Sequence, residues 1–245
     1  MNERRRVFKK IFISIIYLAI FTGIGAGTYF LIIKNQASSP LPAPTIFPVE
    51  TIWAQSFLTG PKVYSVAAKI RNPNTAFGAS NFEYSFYVYD SNNILIGTLN
   101  GNSFIWPGES KYIVEGGVSI SRAPVKVGFE VKNPVWREVL NFKGVNLTLS
   151  NINYGKGSPG SGKFFMVDFT ASNNTSFDLK EVYISSVVLT REGLPIAVGS
   201  TILENLRSKE RKLFSIPWFG EFSGTPYSVD LSISTNIWET PPLLQ

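Results

Sequence analysis

Side chains that commonly carry chemistry are either missing from this chain or scattered along it. Histidine and cysteine are both absent, which removes the imidazole general base, the triads built on one, the thiolate nucleophile and any His/Cys metal cage. Without cysteine there is also no disulfide framework, and the redox compartment stays open. The carboxylates Asp90, Glu109, Glu115, Asp168, Asp178, Glu181 and Asp230 include no pair spaced so that one serves as acid and another as base. Asp178 and Glu181 stand close together near an expected turn, yet calcium takes about six to eight oxygen ligands. Gly157-Ser158-Pro159-Gly160-Ser161-Gly162-Lys163 matches the opening of a phosphate-binding loop. The full motif continues with Ser or Thr for magnesium and then a helix; here Phe164 follows, and residues 165–171 alternate as a strand, so a hairpin loop is expected.

No catalytic, cofactor-binding or metal-ligating residue is therefore assigned. Contact with a partner is a different matter, because large stiff aromatic rings make good anchors. Trp106 beside Pro107-Gly108, and Trp218-Phe219 before Gly220, are the candidates for that role. Trp136 and Trp238 occupy matching places in the two halves of the chain and are read as packing residues. Asn146, Asn173 and Asn174 each begin an N-x-S/T triplet, too short a pattern to carry a function.

The elements that position these residues begin with an anchor. Ile11 to Ile33 is a run of 23 residues without a charge; at about 1.5 Å per residue a helix of that length spans a hydrocarbon core of roughly 30 Å. A cleaved signal sequence, the alternative, has an apolar core of about 7–15 residues and a small-residue cleavage site. Arg4, Arg5, Arg6, Lys9 and Lys10 precede the run and only Lys34 closely follows it, so the positive-inside rule puts residues 1–10 in the cytoplasm and the rest of the chain outside it, at the cell membrane. Gly23 and Gly27 form a G-x-x-x-G pair on which two such helices can approach as a homodimer. A type IV pilin start is not met, since the stretch from Arg6 to Ser14 has neither its glycine nor its glutamate.

The net charge of +6 belongs to the anchor: without its six flanking cations and Glu3, the remainder holds 17 basic and 16 acidic residues. A near-neutral outer part argues against nucleic acid as a partner. Residues 34–49, with Pro40, Pro42, Pro44 and Pro48, read as an extended spacer. Beyond it the period is two, as in antiparallel strands with one face buried: Tyr64, Val66, Ala68 and Ile70 share a face, as do Phe82, Tyr84, Phe86 and Val88, and Val125, Val127, Phe129 and Val131. Residues 165, 167, 169 and 171, then Val182, Ile184 and Val188, then Val229, Leu231 and Ile233, repeat the pattern. Asn72-Pro73-Asn74 answers to Asn173-Asn174-Thr175 at an offset of 101, and Asn133-Pro134-Val135-Trp136 to Thr235-Asn236-Ile237-Trp238 at 102. The expected architecture is mainly β, an N-terminal transmembrane helix followed by two tandem antiparallel Ig-like sandwiches, residues 50–136 and 137–245.

Phe86-Tyr87-Val88-Tyr89-Asp90, the polar turn before Ile94-Leu95-Ile96-Gly97, and Pro107-Gly108-Glu109 resemble the FxLYD domain over residues 62–132, with Val88 in the place of Leu. The resemblance implies an Ig-like sandwich in an envelope protein of bacteria or archaea, often behind one membrane anchor, and it implies no catalytic residues. In the second half Val187 to Arg191 stands where the motif should be, so that half is linked to the family through the repeat alone. The function expected is a non-enzymatic module that binds another envelope protein or wall component. Two alternatives stand beside it: a subunit of a secretion or pilus-like assembly, and an enzyme acting on glycan or peptide, which would need carboxylates gathered in a deep polar cleft.

Overall fold

Strands that break the simple alternation determine how the parts of this chain stack, and two of them are central in their sheets. Val66-Ala67-Ala68 and Val187-Val188-Leu189 are unbroken apolar runs, the signature of a strand buried on both faces. The computed structural model describes residues 3–35, 44–240 and 243; residues 36–43, with Pro40 and Pro42 of the expected spacer, lie outside the described residues. Two compact units result, Met1–Thr45 and Ile46–Gln245.

The first unit is one helix, α1 (Glu3–Asn35), long and apolar enough to cross a membrane. Its two threonines bond back to the helix: the Thr28 hydroxyl donates to the Ile24 carbonyl at 2.9 Å, and Thr22 bonds to Leu18 in the same way. An added Cβ at Gly23 or Gly27 would meet nothing within 4 Å.

The second unit holds twelve strands in four three-stranded antiparallel sheets. β1 (Glu50–Gly60), β2 (Val63–Arg71) and β5 (Ser110–Ser119) form sheet I in the order β1-β2-β5. β3 (Phe77–Tyr89), β4 (Leu95–Ile105) and β6 (Lys126–Glu138) form sheet II, ordered β4-β3-β6. The second half repeats both orders six strands later. β7 (Leu147–Lys156), β8 (Phe165–Asn173) and β11 (Arg211–Trp218) make sheet III, and β9 (Leu179–Leu189), β10 (Pro195–Leu206) and β12 (Ser228–Ser234) make sheet IV with β9 central. Each pair of sheets is a sandwich. Val66, Ala68, Ile70, Phe82, Phe86 and Val88 fill the first core; Val167, Phe169, Ala171, Val182, Ile184 and Val188 fill the second.

The repeat is also chemical. The buried amide of Asn72 donates to the carbonyls of Phe77 (2.7 Å) and Trp106 (2.8 Å), while that of Asn173 donates to Phe177 (2.8 Å), Leu206 and Arg207 (3.0 Å each). Glu109 accepts from the Trp106 amide and Glu210 from the Arg207 amide, both at 2.7 Å. In both halves a residue after the third strand ties down the next turn. Asp90 accepts from the amides of Asn92 (2.9 Å) and Ile94 (3.0 Å), and Thr190 accepts from that of Leu194 (3.3 Å). The match ends after Ser234. Trp136 continues on β6, opposite Ala79, whereas Trp238 leaves the sheet and lies against Gly78 of the first half. β6 itself runs to Glu138, paired with Phe77, so the connection between the halves starts two residues beyond Trp136.

The two sandwiches lie face to face. Phe57, Ala67 and Tyr112, on the outer side of sheet I, form one buried cluster with Val187 and Val198 from the outer side of sheet IV, flanked by Trp53, Val114 and Leu189. The layers therefore run II, I, IV, III, and β2 and β9 are buried on both faces. This differs from the expectation of strands with one wet face: Ala67, Val187 and Leu189 are apolar because a second sheet covers them. A further cluster, Phe104, Trp106 and Ile237, joins the halves near the C-terminus, where the Trp106 indole N–H donates to the Thr235 carbonyl at 2.8 Å.

Candidate functional site

The seam between sheets I and IV is dry only at its centre. Alternation along sheet IV sends Tyr183, Ser185 and Val187 of β9 outward, and the cross-strand register adds a row on either side. Val187 lies between Val198 and Asp230, Ser185 between Ser200 and Ser232, and Tyr183 between Ile202 and Ser234. The apolar row meets sheet I; the serine row does not. It forms the floor of a cavity of about 280 Å³ whose other wall comes from β5, with Lys111, Tyr112 and Glu115, and from Tyr84, Asn102 and Ser103. A second cavity of about 340 Å³ continues along the same seam, shares Val114, Ser200 and Thr201 with the first, and reaches Leu58, Trp218 and Phe219.

Three tyrosines border the seam, and each donates its hydroxyl to a carboxylate. Tyr84 bonds Glu115 at 2.6 Å, Tyr112 bonds Asp230, and Tyr183 bonds Glu181. Burial first, and the carboxylate partner second, push all three phenols above their ordinary range, so they stay protonated as donors. Lys69 stands 3.6 Å from Asp230 and 5.0 Å above the Tyr112 ring, closing a polar link between the sandwiches.

Lys111 is the most constrained cation of the seam. Only 5% of it is exposed. Its Nζ donates to the Phe104 carbonyl at 3.0 Å and stands 3.7 Å from the centre of the Phe104 ring. Burial holds this ammonium below the ordinary lysine range, and burial holds the neighbouring Glu109 carboxyl above the ordinary carboxylate range; the charge of each opposes the other's shift. Glu115 is the sole carboxylate among the residues lining the first cavity. The first cavity is thus lined by one acid and one committed cation.

The three aromatic residues picked out as contact candidates separate. Trp106 and Trp218 are inside: 9% and 5% of each is exposed, and their indole N–H groups donate to the carbonyls of Thr235 and Val198 (3.0 Å). Phe219, 67% exposed, presents its ring to solvent at the mouth of the second cavity. The Gly157–Lys163 segment is the β7–β8 hairpin loop, closed by the Gly157 amide on the Phe164 carbonyl at 3.1 Å, and β8 follows it in place of a helix. Asp178 accepts from the Ser208 amide at 2.7 Å and Glu181 from Tyr183, so these carboxylates face different partners. Among the described residues no group of three or more acidic, His or Cys side chains gathers for a metal. Asn173, wholly buried, has no free amide for a glycan.

Sequence reasoning passed over the seam itself. Ser185, Ser200 and Ser232 look like the wet face of ordinary strands, and nothing local distinguishes them from serines facing bulk water. The usable sign was the set of apolar outer-face residues beside them, Ala67, Tyr112, Val187 and Val198, which marks where a second sheet must dock.

The chain matches no protein-family model. It also matches no curated protein.

Proposed function

We propose that this chain is a membrane-anchored, extracytoplasmic binding protein of the cell envelope, which holds another envelope component in the cleft between its two sandwiches and performs no catalysis. The observation that carries this reading is the polar cavity at the sheet I/sheet IV seam, lined by the hydroxyls of Ser185, Ser200, Ser232 and Ser234 beside a buried apolar contact. Ligand sites favour such concave junctions between domains, with a few convergent polar groups. The anchor half of the proposal rests on α1 and on the cations that precede it, which orient the N-terminus to the cytoplasm. Placement in a bacterial or archaeal envelope rests on the FxLYD-like residues, of which Phe86 and Val88 are core residues and Asp90 caps its turn. Binding is favoured over hydrolysis of glycan or peptide because the cavity is lined by a single carboxylate, Glu115.

The absence of native cysteine makes a direct test simple. Single cysteines placed at residue 2 and at Leu213, which is 76% exposed, are probed in intact cells with a membrane-impermeant maleimide. Labelling at position 213 alone supports the topology; labelling at position 2 alone overturns it. Chemical cross-linking of the same cells, with a Ser232→Tyr variant that fills the cleft as the comparison, then tests binding. The reading requires a captured envelope component that the variant loses, and capture unaffected by the variant contradicts the cleft as the site.

A further inference from the structure

We infer that the occupant of the seam is a neutral oligosaccharide, its hydroxyls held by the serine row and a ring face laid on Phe219. This rests on the preceding reading that the cleft is the binding site.

Three features of the cleft point to this chemistry. First, Ser185 is 8% exposed and Ser234 4% exposed, and what little surface they keep lines the cavity. A hydroxyl is donor and acceptor at once, so a row of them, Ser200-Ser185-Ser232 across three adjacent strands at about 5 Å spacing, is matched by a ligand whose own groups are closely spaced hydroxyls. Second, charge is balanced and committed. The Lys111 ammonium is already bonded to Phe104, and Glu115 already accepts from Tyr84. An anionic ligand would meet no free cation there and would face Glu115. Third, Ser200 and Thr201 lead from the hydroxyl-lined cavity into the neighbouring one, at whose mouth Phe219 is two-thirds exposed. A pyranose ring is polar at its rim and apolar on its C–H faces, and this pairing of hydroxyls with a free aromatic face suits both.

The competing occupants fit less well. An apolar ligand would leave the buried serine hydroxyls unpaired, at a cost that polar groups in a dry site always impose. An extended peptide adding itself along the β5 wall of the cavity would need the free edge of that strand. The β5 edge, however, is broken at Gly116-Gly117, where the register with β2 shifts and Gly117 takes φ of +70°. Such a bulge interrupts the row of amides that strand addition requires.

The test is calorimetric titration of the full-length chain in lipid nanodiscs with maltotriose, mannotriose and tri-N-acetylchitotriose, and with trialanine as the peptide probe. The inference expects saturable binding of at least one trisaccharide and none of trialanine. Ser185→Ala combined with Ser232→Ala removes two hydroxyls with no added bulk, and Phe219→Ala removes the exposed ring; each is expected to weaken binding about tenfold or more, while Leu213→Ala on the outer face of sheet III leaves it unchanged. Circular dichroism checks that each variant folds. No binding of any trisaccharide to folded protein overturns the saccharide assignment, and so does binding of trialanine in its place. Trisaccharide binding that survives both cleft variants overturns the site. Failure here with cleft-dependent capture intact in cells would remove the ligand class alone and leave the binding reading standing.

Discussion

Val187→Ala tests whether the two sandwiches form one cooperative body. Val187 is fully buried in the seam and clusters with Phe57, Ala67, Tyr112 and Val198, apart from the two sandwich cores. The substitution deletes two methyl groups. Their transfer is worth about 1.6 kcal/mol at roughly 0.8 kcal/mol per carbon, and the cavity left between two rigid sheets raises the loss to about 2–3 kcal/mol. If sheets I and IV unfold together, that loss is shared by the whole second unit. Amide hydrogen exchange then reads it at two separate places: β3, in the first core, and β9, in the second. Both should lose protection by the same factor, about 30- to 150-fold at 1.4 kcal/mol per decade. Loss of protection in β9 with β3 unchanged would refute the reasoning, because the sandwiches would then be independent domains in loose contact.

Other consequences follow from single groups. The Ser186 hydroxyl is the one buried side-chain polar atom among the described residues without a partner; Ser186→Ala should raise stability by about 1 kcal/mol, read as a higher denaturant midpoint, and a fall would show that the hydroxyl has a partner. Asn173→Ala strips the donor from the carbonyls of Phe177, Leu206 and Arg207 and should cost about 3 kcal/mol or more in chemical denaturation. Asp90 is held below the ordinary carboxylate range chiefly by the Ile94 amide, with Arg122 (3.1 Å) and the Asn92 amide adding to it against burial. A carboxylate with a lowered folded pKa stabilises above its unfolded pKa and loses that contribution as pH falls through the folded value. Unfolding followed from pH 7 into the acid range should therefore be less steep in Asp90→Asn than in the parent.

Much of the fold was legible because period-two alternation reports a core directly. Phe82, Tyr84, Phe86 and Val88 are buried together as their spacing requires, and the Asn72 and Asn173 landmarks proved to be equivalent turn-tying amides. The stacking of the sandwiches was harder to see, since Ala67 and Val187 carry that information in single letters within runs that also suit a core. Packing also decided the fate of the tryptophans. Turn neighbours such as Pro107-Gly108 suggested exposure for Trp106, but an indole N–H aimed at Thr235 in the other half drew it inside. Phe219 differs because its ring has no polar handle to satisfy and no layer beyond it. The cleft was invisible for a related reason: a serine that faces solvent and one that faces a second sheet obey the same alternation.

The most direct test of the account places a photo-activatable cross-linking residue at Ile202, which is 54% exposed and lines the seam cavity, and at Leu213, 76% exposed on sheet III, in the full-length protein in living cells. The account predicts a discrete adduct from position 202 that disappears when Ser232→Tyr fills the cleft, with no such adduct from position 213. Adducts of equal yield from both positions, or a position-202 adduct indifferent to the filled cleft, would contradict the claim that this protein binds its ligand between its sandwiches.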